Sequence, residues 1–216
     1  MENYKRKVVM NKEQRYQTVL LFGAPGVGKG TQGKILGAIP GFYHLSSGEF
    51  FRTLDVNSEL GRTVYEYLSR GELVPDEITI KLWKQNIHAH RMMNLYKPYA
   101  DLLILDGIPR NVNQTKLMDE HIHVLNVIHL VCVDEEAMVK RIRRRALKEN
   151  RADDAREEVI RRRWEIYNQE TQPILDYYPK SIISTVDAIG SPAEVLQRIL
   201  EIIVPVQNTH FANALG

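Results

Sequence analysis

The sequence predicts an α/β fold in which helices flank a parallel sheet. Apolar runs of strand length alternate along the chain with longer segments of helical periodicity, as in proteins built from repeated strand-helix units. The apolar runs show little alternation with polar residues, which is typical of strands buried on both faces of a sheet. A glycine-rich loop lies between the first such strand and the first helix. These observations together favour a parallel sheet with helices on both of its faces.

Length and composition favour a single domain, residues 1–216, with balanced charge. The chain has 29 Lys and Arg against 27 Asp and Glu, a formal net charge of +2, so we expect no nucleic-acid partner. The single cysteine, Cys132, excludes an internal disulfide and a multi-cysteine zinc site. No apolar run approaches the roughly 18 residues of a membrane helix. We therefore expect a cytoplasmic protein with no membrane partner, and a monomer.

Four apolar runs are predicted strands, and five segments with helical periodicity are predicted helices. The strands are residues 18–22, 102–106, 127–134 and 181–187. The helices are residues 29–36, 76–94, 135–147, 154–178 and 192–204. The first sixteen or so residues and the tail after Pro205 are polar or irregular, and we expect both to be loose ends.

The segment GAPGVGKGT (residues 23–31) has the composition of a phosphate-binding loop. Gly23, Gly26 and Gly28 can adopt backbone angles that other residues rarely take, which lets main-chain amides converge on an anion. The positive N-terminus of the next helix points at the same place. Lys29 adds a cation that can follow the β- and γ-phosphates. The segment fits the Walker A pattern except that the hydroxyl comes one residue late, at Thr31. The alternative is an ordinary glycine-rich turn.

With its displaced threonine, GAPGVGKGTQ resembles the phosphate loop of the nucleoside monophosphate kinases, and of the adenylate kinases most of all. The resemblance spans about residues 19–200. HLSSGEFFR (44–52) resembles the start of the family's monophosphate-binding insertion, and GELVPDEI (71–78) resembles its end. DGIPRNVNQ (106–114) is similar to the family's DGFPR motif, and RIRRRALKENRADD (141–154) resembles a short lid. The resemblance implies a P-loop NTPase-type sheet with a small helical insertion at 46–75 and a lid at 145–153.

The same resemblance implies phosphoryl transfer from ATP to AMP, giving two ADP, with Mg²⁺ as cofactor. Positioning and charge stabilisation dominate such chemistry, so several cationic side chains are needed in one cleft. By resemblance, Asp106 holds Mg²⁺ through water, which suits an ion that keeps much of its hydration. Helix capping is the alternative role for this aspartate. The implied catalytic residues are Lys29, Arg110, Arg145, Arg151 and Arg162.

The resemblance also implies two sets of nucleotide contacts. The residues expected to contact ATP are Gly26, Val27, Gly28, Lys29, Gly30, Thr31, Arg141, Arg145 and Gly190. The residues expected to contact AMP are Ser47, Arg52, Val74, Gly107, Arg110, Gln114, Arg151 and Arg162. The family also often has a cis bond before the proline that corresponds to Pro109.

Spacing supports part of this assignment of arginines. Arg141 and Arg145 are four residues apart and share a helix face, whereas Arg143 and Arg144 turn elsewhere. Helical periodicity does not separate Arg162 from its two arginine neighbours, and there the resemblance alone decides. Solvated helix faces with ion pairs four residues apart are an alternative for both arginine-rich segments. An RNA-binding patch is a third interpretation, but interleaved aromatic residues are lacking.

The acceptor base is left open between adenine and a pyrimidine. The stretches PRN (109–111) and VPDEITI (74–80) favour the UMP/CMP kinases of the same family. Ser47 and Gln114 favour adenine, because a glutamine amide can pair with it through one donor and one acceptor. Glu49 and Ile108 depart from the usual Asp and Phe of the family. A regulator that binds ATP without transferring phosphate is a further alternative, but it would not need the acceptor-side residues.

Overall fold

Five parallel strands form one sheet in the computed structural model, which describes residues 15–148 and 156–211. The strand order is β2-β3-β1-β4-β5, and every neighbouring pair is parallel. The predicted fold class is therefore confirmed. The strands are β1 (Tyr16–Phe22), β2 (Phe42–Ser46), β3 (Leu102–Asp106), β4 (Ile122–Val131) and β5 (Ile183–Asp187).

Helices cover both faces of this sheet. In the described part of the chain they are α1 (Lys29–Leu36), α2 (Ser47–Arg52), α3 (Glu59–Arg70), α4 (Asp76–Met92), α5 (Val112–Met118), α6 (Glu135–Lys148), α7 (Glu157–Ile166), α8 (Ile174–Tyr177) and α9 (Pro192–His210). A π-helical turn (Tyr167–Thr171) follows α7, and a 3₁₀ turn (Lys180–Ile182) precedes β5. None of the described helices is long and apolar enough to cross a membrane.

The sheet separates two apolar layers, because successive side chains of a strand point to opposite faces. Leu20 of β1 packs in one layer with Trp83 of α4. Leu21, the next residue, packs in the other layer with Ile199 of α9. All four side chains are almost fully buried. Burial on both faces explains why the strands lack a polar alternation in the sequence.

Several predicted boundaries differ from the structure. The strand β2 was not predicted, and β4 begins five residues before the predicted start at residue 127. The predicted helix 154–178 is interrupted by the π-helical turn and by Pro173, which precedes α8. The helix α9 continues through Pro205 to His210, although a loose tail was predicted there. Ile203 before Pro205 and Phe211 directly after the helix are buried, and their packing offsets the hydrogen bond that proline removes.

The predicted insertion at 46–75 contains α2 and α3. The Ser58 hydroxyl caps α3 by accepting from the amide of Gly61, and α3 ends at Gly71 with a left-handed φ of 73°. Of the predicted lid at 145–153, residues 145–148 form the end of α6, and the rest lies outside the described residues.

Parallel pairing brings the carboxyl ends of three strands together. Leu21 at the end of β1 is in register with Asp106 at the end of β3, and Ser46 at the end of β2 is in register with the same aspartate. The glycine-rich loop therefore begins beside Asp106, at the edge where open α/β sheets bind ligands.

Candidate active site

The loop at residues 23–31 has the backbone geometry that the sequence predicted. Gly23, Gly26 and Gly28 all have positive φ, at 140°, 86° and 109°. A β-carbon on Gly23 would lie 2.4 Å from the carbonyl oxygen of Leu130, and one on Gly26 would lie 2.7 Å from that of Met138. A side chain at either position is thus excluded by space as well as by backbone angle.

Lys29, the first residue of α1, turns its ammonium group back into this loop. Its Nζ donates to the carbonyl oxygens of Gly23, at 2.6 Å, and Ala24, at 3.1 Å. Burial lowers the pKa of Lys29 to about 8; Asp106 opposes this shift, and the nearby Arg110 and Arg145 add to it. The loop therefore holds a cation whose charge depends on its immediate neighbours.

Asp106 is the anionic member of the site. Burial alone would raise its pKa, but the neighbouring His44 imidazole and the charges of Lys29 and Arg110 outweigh burial, and the pKa lies below its ordinary value. The Nε2 atom of His44 lies 3.8 Å from Oδ2 of Asp106. The same Oδ2 would lie 3.6 Å from a β-carbon on Gly30. An ionised carboxylate thus borders the phosphate loop.

This carboxylate fits the donor chemistry of Mg²⁺, which prefers oxygen ligands and takes few of them from protein. Across residues 15–148 and 156–211, no three His, Cys, Asp or Glu side chains cluster as a metal-binding group. A single carboxylate can hold Mg²⁺ only together with water or substrate oxygens, and the water-mediated contact of Asp106 stays a prediction.

One cleft of about 590 Å³ opens over the loop and reaches both predicted nucleotide sites. All nine residues predicted to contact ATP line it: Gly26, Val27, Gly28, Lys29, Gly30, Thr31, Arg141, Arg145 and Gly190. Four of the residues predicted to contact AMP line the same cleft: Ser47, Arg52, Gly107 and Arg110. Asp106 lies between the two groups in the wall of the cleft.

A narrow pocket adjoins the acceptor side of this cleft. Two more residues predicted to contact AMP, Val74 and Gln114, line this pocket, whereas Arg162 does not. Val74, Gln114 and the ring of Phe51 line it, together with Gly107 and Arg110. Phe51 is buried, so it packs in the core as well as bordering the pocket. Apolar side chains such as Leu68 and Leu73 line it beside the polar side chains of Glu72, Thr79 and Gln114.

Hydrogen bonds fix the acceptor-side residues around the end of β3. The Ser47 hydroxyl donates to the carbonyl oxygen of Gly107 at 2.6 Å, and the Arg110 Nε donates to the same oxygen at 2.9 Å. Burial lowers the pKa of Arg110 while Asp106 raises it, and a guanidinium stays charged at any physiological pH. The Ile108–Pro109 peptide bond is cis, as the resemblance led us to expect.

The Gln114 side chain is held at both ends. Its Oε1 accepts from the backbone amide of Arg110 at 2.8 Å, and its Nε2 donates to Oδ1 of Asp76 at 2.8 Å. Asn111 and Asn113 also donate to Asp76, at 3.0 and 2.6 Å. Asp76 was not among the predicted site residues, although it lies in the quoted VPDEITI stretch.

The arginines of α6 lie largely as predicted. Arg141 donates to the carbonyl oxygen of Ala188 at 3.3 Å and lines the cleft with Arg145. Arg143 turns away and pairs with Glu157 at 3.1 Å. Arg144, predicted to turn away as well, contributes to the cleft wall. Its side chain remains exposed, so it reaches the site only at the rim.

The structure does not bring Arg162 to the cleft. Its guanidinium is 3.2 Å from Glu165 on the outer side of α7, and the neighbouring Arg163 lines the cleft instead. The physical reason is the packing of α7 on the end of α3. A β-carbon on Gly71 would lie 3.2 Å from Cγ of Arg163, so the bare glycine leaves room for that arginine. Arg151 lies outside the described residues.

Comparisons with known proteins point to one family. A model of the adenylate kinase family matches residues 21–183. The chain is 37% identical over 190 residues to a protein named adenylate kinase from Thermus thermophilus, covering 85% of this chain and 95% of that protein. It is 36% identical to a protein of the same name from Thermobifida fusca, covering 84% of this chain and 95% of that protein. It is also 36% identical to one from Thermosipho melanesiensis, covering 86% of this chain and 98% of that protein.

Proposed function

The chain belongs to the adenylate kinase family, and we propose that it transfers the γ-phosphoryl group of ATP to AMP reversibly, giving two ADP. The observation that carries this proposal is the shared cleft, in which a phosphate loop with Lys29 faces Arg52 and Arg110 on the acceptor side. Two polyanionic substrates need cationic groups from both directions. A protein that only binds ATP has no use for the second set.

On the donor side, the loop amides and Lys29 hold the β- and γ-phosphates of ATP. Arg141 lies beside the segment from Ala188 to Gly190, where its planar guanidinium can stack on the donor adenine. The loop between β5 and α9 thus forms the far wall of the donor base site.

On the acceptor side, Arg52 and Arg110 grip the phosphate of AMP, because a guanidinium fork matches phosphate geometry better than an ammonium does. We place the base beside Gln114 and Val74, with Ser47 close to the ring; the narrow pocket there, of about 10 Å³, has to widen to admit it. In this arrangement the acceptor phosphate lies next to the donor γ-phosphate.

Transfer itself needs no covalent enzyme intermediate. An oxygen of the AMP phosphate forms a bond to the γ-phosphorus while the bond from that phosphorus to the β,γ-bridging oxygen breaks, leaving ADP on both sides. Arg145 and Arg163 border the region where charge develops, and Arg163 takes the place that the sequence interpretation gave to Arg162. We retain Arg151 as a third arginine of this set on the basis of the resemblance alone.

Asp106 would hold Mg²⁺ through water beside the phosphates. When bound, the ion supplies neutralisation of phosphate charge and helps to align the transferring group. The lowered pKa of Asp106 keeps its carboxylate ionised at neutral pH, which this role requires.

The two stretches that resemble the UMP/CMP kinases have another role in the structure. Asp76 of VPDEITI and Asn111 of PRN both belong to the hydrogen-bonded group that holds Gln114. They support a fixed glutamine amide at the base site and so favour AMP as the acceptor. UMP or CMP as acceptor remains the competing hypothesis within the same site.

The experiment is a panel of acceptors assayed with ATP and Mg²⁺. ADP formation is followed with AMP, UMP and CMP in parallel, and without any acceptor. We expect AMP to have the highest kcat/KM. A higher value for UMP or CMP would overturn the assignment of the base but not of the reaction, and no transfer to any acceptor would leave only nucleotide binding.

We further propose a cytoplasmic monomer without nucleic-acid partners. Lys29 on the donor side and Arg110 on the acceptor side line one cleft of the same chain, which supports a monomer. The single cysteine suits a reducing compartment, and the near-neutral charge gives no general attraction to nucleic acid.

A further inference from the structure

Asp76 is the centre of a hydrogen-bonded group at the acceptor base pocket. Three side-chain amides converge on its carboxylate: Gln114 and Asn111 donate to Oδ1, at 2.8 and 3.0 Å, and Asn113 donates to Oδ2 at 2.6 Å. Asp76 is the first residue of α4, whereas the three amides lie at the start of α5. The group therefore joins two helices at the edge of the pocket.

These contacts determine which of the two terminal atoms of the Gln114 amide is the oxygen and which is the nitrogen. A backbone N–H can only donate, so the atom facing the amide of Arg110 must be the carbonyl oxygen of Gln114. An ionised carboxylate can only accept, so the atom facing Asp76 must be the amide nitrogen. Gln114 is 1% exposed, and reversing its amide would place like groups against each other at both ends of a buried side chain.

A fixed amide has consequences for the base it meets. Its nitrogen keeps one further hydrogen and its oxygen one further lone pair, which gives one donor and one acceptor at fixed places. Adenine presents the matching acceptor at N1 and donor at the 6-amino group. A 6-oxopurine presents the reverse, with a donor at N1 and an acceptor at O6. A glutamine free to rotate could match either pattern, but one held in a single orientation matches only one.

We propose that Asp76 is a positioning residue that, together with the backbone amide of Arg110, holds the Gln114 amide in one orientation and thereby strengthens the preference of the acceptor site for 6-aminopurine over 6-oxopurine monophosphates. The inference rests on the proposed transfer to AMP and adds a determinant of base choice to it. Asp76 acts through Gln114 and does not itself touch the substrate. Replacing Asp76 should leave the phosphate loop and the arginine side chains of the cleft unchanged.

The test compares AMP with IMP, two acceptors of nearly equal shape that differ in the donor and acceptor pattern at positions 1 and 6. The kcat/KM of each is measured with saturating ATP for the wild type, Asp76→Ala and Asp76→Asn. Glu77→Ala is the matched control, because Glu77 is also acidic and in the first turn of α4 but is exposed. Circular dichroism is recorded for every variant.

We expect the AMP:IMP ratio of kcat/KM to fall by about tenfold or more in Asp76→Ala, the size of effect that follows the loss of one buried polar match. Asp76→Asn keeps the volume and one acceptor oxygen, and should lower the ratio by a smaller factor. The control should keep the wild-type ratio, and the KM for ATP should stay within about twofold in all variants, because ATP binds at the other end of the cleft.

An unchanged AMP:IMP ratio in folded variants would overturn the proposal, even if both values of kcat/KM fell together, since that result would mean a purely structural role. Should Asp76→Ala fail to fold, the Asn variant decides on the same ratio. Failure of the proposed function would look different, because the wild-type protein would then form no ADP from AMP at all.

Discussion

The ammonium group of Lys29 lies 2.6 Å from the carbonyl oxygen of Gly23, inside the loop that is to bind phosphate. Together with the bond to Ala24, this contact uses two of the three donors of the lysine. The loop therefore holds the cation in place with its own carbonyl groups. Phosphate oxygens entering the loop compete with those carbonyls, and they also change the electrostatic surroundings of the lysine.

A first prediction concerns pH. Burial lowers the pKa of Lys29 to about 8, so raising the pH through 8 removes the charge that phosphate needs. Bound phosphates favour the ammonium form and raise this pKa, so ATP binding should take up protons at about pH 9. For the same reason, the affinity for ATP should fall above about pH 8. Calorimetry in two buffers with different ionisation enthalpies measures the uptake. Lys29→Arg, which does not titrate in this range, should abolish it. Equal uptake in both proteins would contradict the assignment.

A second prediction separates two neighbouring arginines. Arg163→Met should lower kcat by at least on the order of 10²-fold, because Arg163 lines the cleft in which we propose that the phosphoryl group is transferred. Arg162→Met removes the same charge from the preceding position of α7, where the side chain is exposed and pairs with Glu165. Its kcat should stay within about twofold of the wild type, as for other surface substitutions. Steady-state rates with ATP and AMP provide the measurement, and a larger effect at Arg162 would show that the sequence-based assignment was the correct one.

A third prediction concerns the acceptor base. Gln114→Asn withdraws the amide by one methylene, and a lost buried contact costs about 1 to 3 kcal/mol, or roughly one to two decades in kcat/KM for AMP. The KM for ATP should change little. Gln197→Asn is the control, since this glutamine is exposed on α9 and pairs within its own helix. Equal losses for AMP and ATP in Gln114→Asn would indicate a general disturbance of the cleft and count against a base contact.

A fourth prediction concerns the metal. Asp106→Asn keeps the size of the side chain but removes the charge that would hold Mg²⁺, so the Mg²⁺ concentration giving half the maximal rate should rise several-fold. The exposed Asp176, which pairs with Lys180, offers the control Asp176→Asn. The measurement is a Mg²⁺ titration of the rate at fixed ATP. An unaltered titration curve for Asp106→Asn would remove this aspartate from the metal site.

Local sequence determines the parts of this site that depend on local geometry. The positive φ of the loop glycines follows from their spacing between a strand and a helix, and Asp106 follows directly from the end of the apolar run LLILD. The helix α1 begins and ends at the predicted residues, 29–36. In each of these cases, residues adjacent in the sequence are sufficient to predict the feature.

Tertiary packing determines the parts that the sequence did not reveal. Three consecutive arginines occupy successive positions of α7, and the packing of this helix beside Gly71 at the end of α3 leaves room for Arg163 at the cleft. The strand β2 lies at the edge of the sheet and its sequence FYHLS mixes polar and apolar residues, so it lacks the apolar run of a central strand. The role of Asp76 depends on α5, and its partner Gln114 there is 38 residues further along the chain.

The most direct test of the central claim measures the products made by the wild type and by Arg110→Met. With ATP, AMP and Mg²⁺, we expect the wild type to form two ADP for each ATP consumed, with no release of inorganic phosphate. Arg110→Met should do so with a kcat lower by on the order of 10³-fold and an unchanged circular dichroism spectrum, because we propose that Arg110 holds the acceptor phosphate in the cleft that it shares with Lys29. Release of phosphate with AMP left intact, or near-normal transfer by a folded Arg110→Met, would contradict the central claim.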